Sequence, residues 1–144
     1  MFTLEQYVGI WSTSKDWTPE CKNNAKLLLS ACLALENRLV VQYGVTFPVN
    51  PATGSQIGGK TYGGFRPQSC TQGAPKSGHK RALAVDRYDP LGEIDACLLA
   101  HPELLEEFGI YIEHPDSTKG WSHWGIKLQK DDPPKSGKHI WRPV

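Results

Sequence analysis

One long amphipathic segment dominates the first third of the chain. Thr18-Pro19-Glu20 makes a good helix start, with Thr18 as N-cap and Pro19 at the first helical position. Leu28, Cys32, Leu35 and Leu39 then recur at spacings of four, three and four, laying one apolar stripe along the helix. Gly44 supplies the stop. The pattern predicts a core-packing helix over 19–43, so the rest of the chain must provide a surface for that stripe.

Beyond the helix the chain changes character. From Pro48 to Pro75 the segment is punctuated by Pro51, Gly54, Gly58-Gly59, Gly63-Gly64 and Gly73. A loop-rich stretch of this length in a small domain is more often functional than idle. Short strands are expected near Gly64–Arg66 and across Ala82–Asp86. Asp89-Pro90 opens a helix to about Ala100, His101-Pro102 restarts it, and Phe108-Gly109 ends it. Ile110–Glu113 reads as a strand, and so does the alternation from Trp124 to Lys130. The tail from Pro133 to Pro143 reads as a surface-hugging loop. Of residues 1–17, Tyr7, Ile10 and Trp11 are expected to pack on the domain. The sum is α+β: a small, mainly antiparallel sheet flanked by helices, in one domain spanning residues 1–144.

Charge and hydropathy narrow the partners. A net charge of +1 offers no broad basic surface to nucleic acid. No stretch approaches the ~20 apolar residues of a membrane span. The opening Met-Phe-Thr-Leu-Glu-Gln lacks the basic and apolar regions of a secretory signal, so synthesis in the cytoplasm is expected. A monomer is expected. Cys21, Cys32, Cys70 and Cys97 form no Cys-x-x-Cys pair and read as free thiols, with a Cys70–Cys97 bridge left open.

Chemistry concentrates in two short stretches, Ser77-Gly-His79-Lys-Arg-Ala82-Leu-Ala84-Val-Asp86 and Gly120-Trp121-Ser-His123-Trp. Two imidazoles and one carboxylate suit a zinc ion that keeps a fourth position open. Such an ion polarises a carbonyl and lowers the pKa of water. His79, Asp86 and His123 are therefore the candidate metal ligands.

Ser77-x-His79-x-x-Ala82-x-Ala84-x-Asp86 closely resembles the Ser-x-His-x-x-Gly-x-Ala-x-Asp signature of the zinc D-alanyl-D-alanine carboxypeptidase family. Trp121-Ser-His123 is similar to that family's second element, and Gly63-Gly64-Phe65-Arg66-Pro67 looks like its upstream Ser-Gly-Tyr-Arg element. Asn50-Pro-Ala-Thr-Gly-Ser55 points to a phage or prophage branch of endolysins. The resemblance covers about residues 47 to 143. It implies a hedgehog-like peptidase fold, a zinc cofactor and peptidoglycan stem peptides as substrate. It also implies action on the bacterial wall after release by another agent, or from the virion.

Two departures stand out. The usual Gly of the first motif is Ala82, which is tolerable if its φ is negative. The family often carries a catalytic Glu just before the last His, yet Lys119, Gly120, Trp121 and Ser122 include no acid. Glu113, at a strand end, is the candidate general base, with Asp116 in reserve. Arg66 is the candidate substrate-facing cation, gripping a carboxylate or oxyanion, or else a structural salt-bridge partner. Ser77 either binds substrate or shapes the turn before His79. Lys76, Lys80 and Arg81 form a solvated rim or attract an anionic peptide. His101 is expected to be a cap or surface group and His139 a solvated tail residue, whereas His114, next to Glu113, could point either way. The alternative function is a non-catalytic zinc-containing module that binds wall peptide or serves as a virion part.

Overall fold

The structure, a computed structural model, describes residues 1–72, 77–126 and 139–141. The long helix α2 spans Pro19–Tyr43, as its end signals require. Thr18 Oγ1 accepts the Cys21 N–H, and Gly44 turns left-handed with its N–H on the Leu39 and Val40 carbonyls. Leu28, Cys32, Leu35 and Leu39 are fully buried, joined by Ala25 and, less expectedly, by Glu36. A short helix α1, Leu4–Val8, precedes it, begun by a capping box of Thr3 and Gln6. Tyr7 is buried as expected, but Ile10 is 70% exposed because the 3-10 turn Gly9–Trp11 points it outward.

Strand β1 is Ala84–Asp89, β2 is Tyr111–Glu113, β3 is Gly120–Gly125 and β4 is Ile140–Trp141. They form one sheet in the order β1-β3-β2-β4. β3 runs antiparallel to β1 and β2, whereas β2 and β4 are parallel. The sheet is thus mixed and not antiparallel throughout, the parallel pairing being the short one at the β4 edge. Helices α3, Glu93–Ala100, and α4, Glu103–Phe108, lie between β1 and β2 in the chain. Among the described residues no helix is long and apolar enough to cross a membrane.

Several expected boundaries move, each for a physical reason. Gly64–Arg66 is not a strand, because its backbone bonds to helical turns: Phe65 N–H to Tyr7 O in α1 and Arg66 N–H to His79 O in the 3-10 turn Gly78–Arg81. β1 starts later and runs further than Ala82–Asp86, since Ala82 takes a left-handed φ of 57° that turns the chain into the strand. The condition of negative φ at Ala82 therefore fails, and the methyl sits where glycine is unstrained. β3 begins at Gly120, not Trp124, so His123 lies inside the strand instead of before it. Its continuation over 127–130 lies outside the described residues, as does most of the tail. Asp89 does not start α3 directly. It accepts the Ile94 and Asp95 N–H groups from three residues before the Gly92 cap. All four cysteines are free, so no Cys70–Cys97 bridge forms.

A cation lies fully buried in the core. Arg87 of β1 is 0% exposed, with its guanidinium 4.8 Å from the Phe47 and Trp124 ring centres and 5.1 Å from that of Phe2. Its Nη2 pairs with Glu36 of α2. Its Nε and Nη1 have no hydrogen-bond partner among the described residues, so the ring faces are what they meet. Removing the anion leaves a buried charge uncompensated. Glu36→Ala should cost about 3–5 kcal/mol in urea unfolding, and pairing Glu36→Leu with Arg87→Met should recover most of it. A single-variant loss below about 1 kcal/mol would mean that the aromatic rings suffice.

A buried acid gives the fold a pH signature. Asp95 is 2% exposed, and burial, aided by the Asp89 charge, pushes its carboxyl up to about 6 against the pull of the Ser122 and Thr118 hydroxyls. Between its ordinary value of 3.8 and about 6, the folded chain binds a proton that the unfolded chain has released. Its contribution to stability therefore falls as pH rises through that window. Asp95→Asn should gain stability over the parent progressively from about pH 4 to about pH 7. Parallel stability–pH curves for the two proteins would contradict this.

Candidate metal centre

β1 and β3 are set in register so that Asp86 lies directly opposite His123. Directly paired residues share a face of the sheet, so both side chains emerge on the same side. His79 arrives from the 3-10 turn Gly78–Arg81, which Ser77 caps by accepting the His79 N–H at 3.3 Å. The sequence-predicted trio therefore converges, with one ligand atom from each residue all within 4.8 Å of one another. His79 Nε2 is 3.2 Å and His123 Nδ1 is 3.0 Å from the same Asp86 oxygen, Oδ1.

The glycines of the long loop set this geometry. Asp86 is bracketed by backbone bonds, its N–H to Gly63 O and its carbonyl from Gly58 N–H, both 2.7 Å. Gly64 lies so close to α1 that a Cβ there would sit 2.1 Å from Tyr7 O. That approach aims the Gly64 carbonyl at His79 Nδ1, which donates to it at 2.8 Å.

Electrostatics then define what the centre can hold. Burial lowers the His79 pKa, with Asp86 pulling the other way. Burial would raise Asp86, but the two imidazoles more than offset it and hold the carboxyl well below the usual carboxylate range. The Gly64 carbonyl accepts from His79 Nδ1, which leaves Nε2 turned to Asp86 Oδ1. Two ring nitrogens and one carboxylate oxygen, with a carbonyl fixing one tautomer, fit a divalent metal. The group could hold a metal ion.

The other predicted residues fall on either side of this centre. Arg66 reaches it: Nη2 is 3.5 Å from Asp86 Oδ2, and Nε donates to Tyr62 O at 2.6 Å. Glu113 ends β2, and the Ile112–Trp124 pairing, carried one step on, sets it beside His123. Burial raises its pKa, the Asp86 charge adds to that, and His123 opposes it. Asp116 is turned away, exposed and 3.5 Å from His114. His139 stacks on Tyr111 at 4.0 Å and donates to Ile110 O from Nδ1, so it is not the surface group expected. His101 caps α3 and stacks on Tyr43. Lys80 is buried, not on a solvated rim, and Lys76 lies outside the described residues.

Trp141 was missed by sequence reasoning. It pairs with Glu113 and stands edge-on to His123 at 6.1 Å. The available signal was Ile140-Trp141, an apolar pair in a proline-flanked polar tail. An open cleft of about 360 Å³ between α3 and the start of β3 has none of the three ligands in its lining. No family profile, curated protein or solved structure matches the chain.

Because Gly64 joins the α1 backbone to a ligand's tautomer, one methyl there should act on both fold and site. Gly64→Ala is expected to cost about 3 kcal/mol through backbone displacement and to weaken zinc binding at least about tenfold, by calorimetric titration. Unchanged zinc affinity in a destabilised variant would separate the two effects and disprove the link.

Proposed function

We propose that the chain is a zinc-dependent peptidase that hydrolyses an amide bond in peptidoglycan stem peptides, as a D-Ala-D-Ala carboxypeptidase or an endolysin-type endopeptidase. The convergence of the His79, Asp86 and His123 ligand atoms on one point carries this reading. The wall-peptide preference, the zinc identity and the hedgehog-like fold rest on the resemblance of the three sequence elements. Action at the wall after release, or from a virion, belongs to the same reading.

His79, Asp86 and His123 would hold a zinc ion, which would supply Lewis acidity toward a scissile carbonyl. Glu113 takes a proton from the attacking water and returns it to the leaving amine nitrogen. Its pKa, raised by burial, suits a group that must first accept a proton and then return it. Arg66 is held by the Tyr62 carbonyl and Asp86, which leaves further N–H groups for a substrate carboxylate or developing oxyanion. Ser77 orients His79 by capping its turn.

Incubation with purified peptidoglycan and zinc should release new amino termini. Glu113→Gln should slow release by about 10²- to 10⁴-fold while zinc still binds. Zinc and wall-peptide binding by the parent protein without any release would favour the non-catalytic module instead. Failure to bind zinc at all would overturn the metallopeptidase reading.

A further inference from the structure

We propose that Asp95 is a positioning residue for the metal centre, acting through Ser122 and Thr118 on the strand that carries His123. The inference rests on the metal reading of the site but adds a part that no ligand motif contains.

Asp95 lies in the first turn of α3, on the opposite side of β3 from the imidazole of His123. Its two oxygens take two different bonds. Oδ1 accepts from Ser122 Oγ, and Oδ2 accepts from Thr118 Oγ1 at 3.1 Å. Ser122 Oγ in turn accepts the Trp124 indole N–H at 2.8 Å. The residues immediately before and after His123 are thus tied to one carboxylate, and the approach to the strand is tied to its other oxygen. Asp95 is itself fixed, its backbone N–H donating to Asp89 Oδ2 at the end of β1. Ser122 pairs with Arg87, and Asp86 with His123, so the network closes from β1 through α3 to β3 and back to β1.

Asp95, Thr118 and Ser122 are all buried, at 2%, 4% and 0% exposure. Burying a carboxylate is unfavourable, and apolar side chains could fill the same space. What a satisfied polar network adds is a single geometry. Here the geometry fixed is the backbone on both sides of a ligand whose Nδ1 must meet Asp86 Oδ1. Outer partners of metal ligands typically change metal affinity by about 10–100-fold when removed.

The test is zinc affinity of the full chain, by competition with a chromophoric chelator, together with the visible spectrum of the cobalt(II) form. Asp95→Ala and Ser122→Ala should each raise the zinc Kd about tenfold and shift the cobalt bands while circular dichroism stays native. Asp95→Asn, which keeps an acceptor for Ser122, should bind near the parent value. If Asp95→Ala does not fold, Ser122→Ala decides. A folded Ser122→Ala with the parent's zinc Kd and cobalt spectrum overturns the inference. A parent protein that binds neither metal overturns the metal reading itself, a result distinct from equal binding by parent and variants.

Discussion

Arg87 and its aromatic enclosure fix the rotation of β1, and the candidate site depends on that rotation. Side chains alternate across a strand, so Asp86 and Arg87 must face opposite ways. Arg87 points into the core, where Glu36 and the faces of Phe2, Phe47 and Trp124 receive it. A one-residue slip would drive Asp86 into those rings and Arg87 into the imidazoles. The buried ion pair is a poor source of net stability. Its value lies in making the wrong register far more unfavourable than the right one. The same pair joins α2 to the sheet, so the helix stripe and the ligand strand are set by a shared contact.

How much of the fold and site is legible in the sequence varies with how local each signal is. The bounds of α2 and the end of α4 are readable because Thr18, Pro19, Gly44 and Gly109 act on their own neighbours. β1 is only half readable, since Arg87 looks like a surface residue until its partner 51 positions away is known. β3 is obscured by Ser122, a polar side chain facing inward, whose partner Asp95 itself resembles an exposed helix acid. β4 is two residues long and exists only through its pairing with β2. The three ligands are legible because their spacing follows a motif. The Gly64 carbonyl on His79 is not, since it depends on α1 pressing against a glycine.

The centre is assembled by the protein and not left for a metal to gather. Asp86 has its backbone held on both sides by the glycine loop, His79 has its tautomer assigned, and His123 is fixed by strand pairing. Preorganisation of this kind lowers the ordering cost of binding. It also buries the Asp86 carboxylate between the two imidazoles. Arg66, 3.5 Å from Asp86 Oδ2, provides partial neutralisation from the outer side. It does so without occupying Oδ1, the oxygen on which both imidazoles converge.

The absence of an acid just before His123 reflects the work those four positions already do. Lys119 borders the cleft beside α3, and Gly120 needs a φ of 93° to turn into the strand. Ser122 is buried and bonded to Asp95. Trp121 does face the same side as His123, but the glycine loop crosses directly above it, close enough that a Cβ on Gly58 would lie 3.2 Å from Trp121 Cβ. Gly120, Trp121 and Ser122 could not present a carboxylate to the centre without undoing a turn or contact that shapes β3. The neighbouring strand carries no such obligation at its end. Glu113 is half-buried there, paired with Trp141 on one side and set beside His123 on the other. A base supplied laterally across the sheet is therefore compatible with this strand's packing, whereas one supplied along it is not.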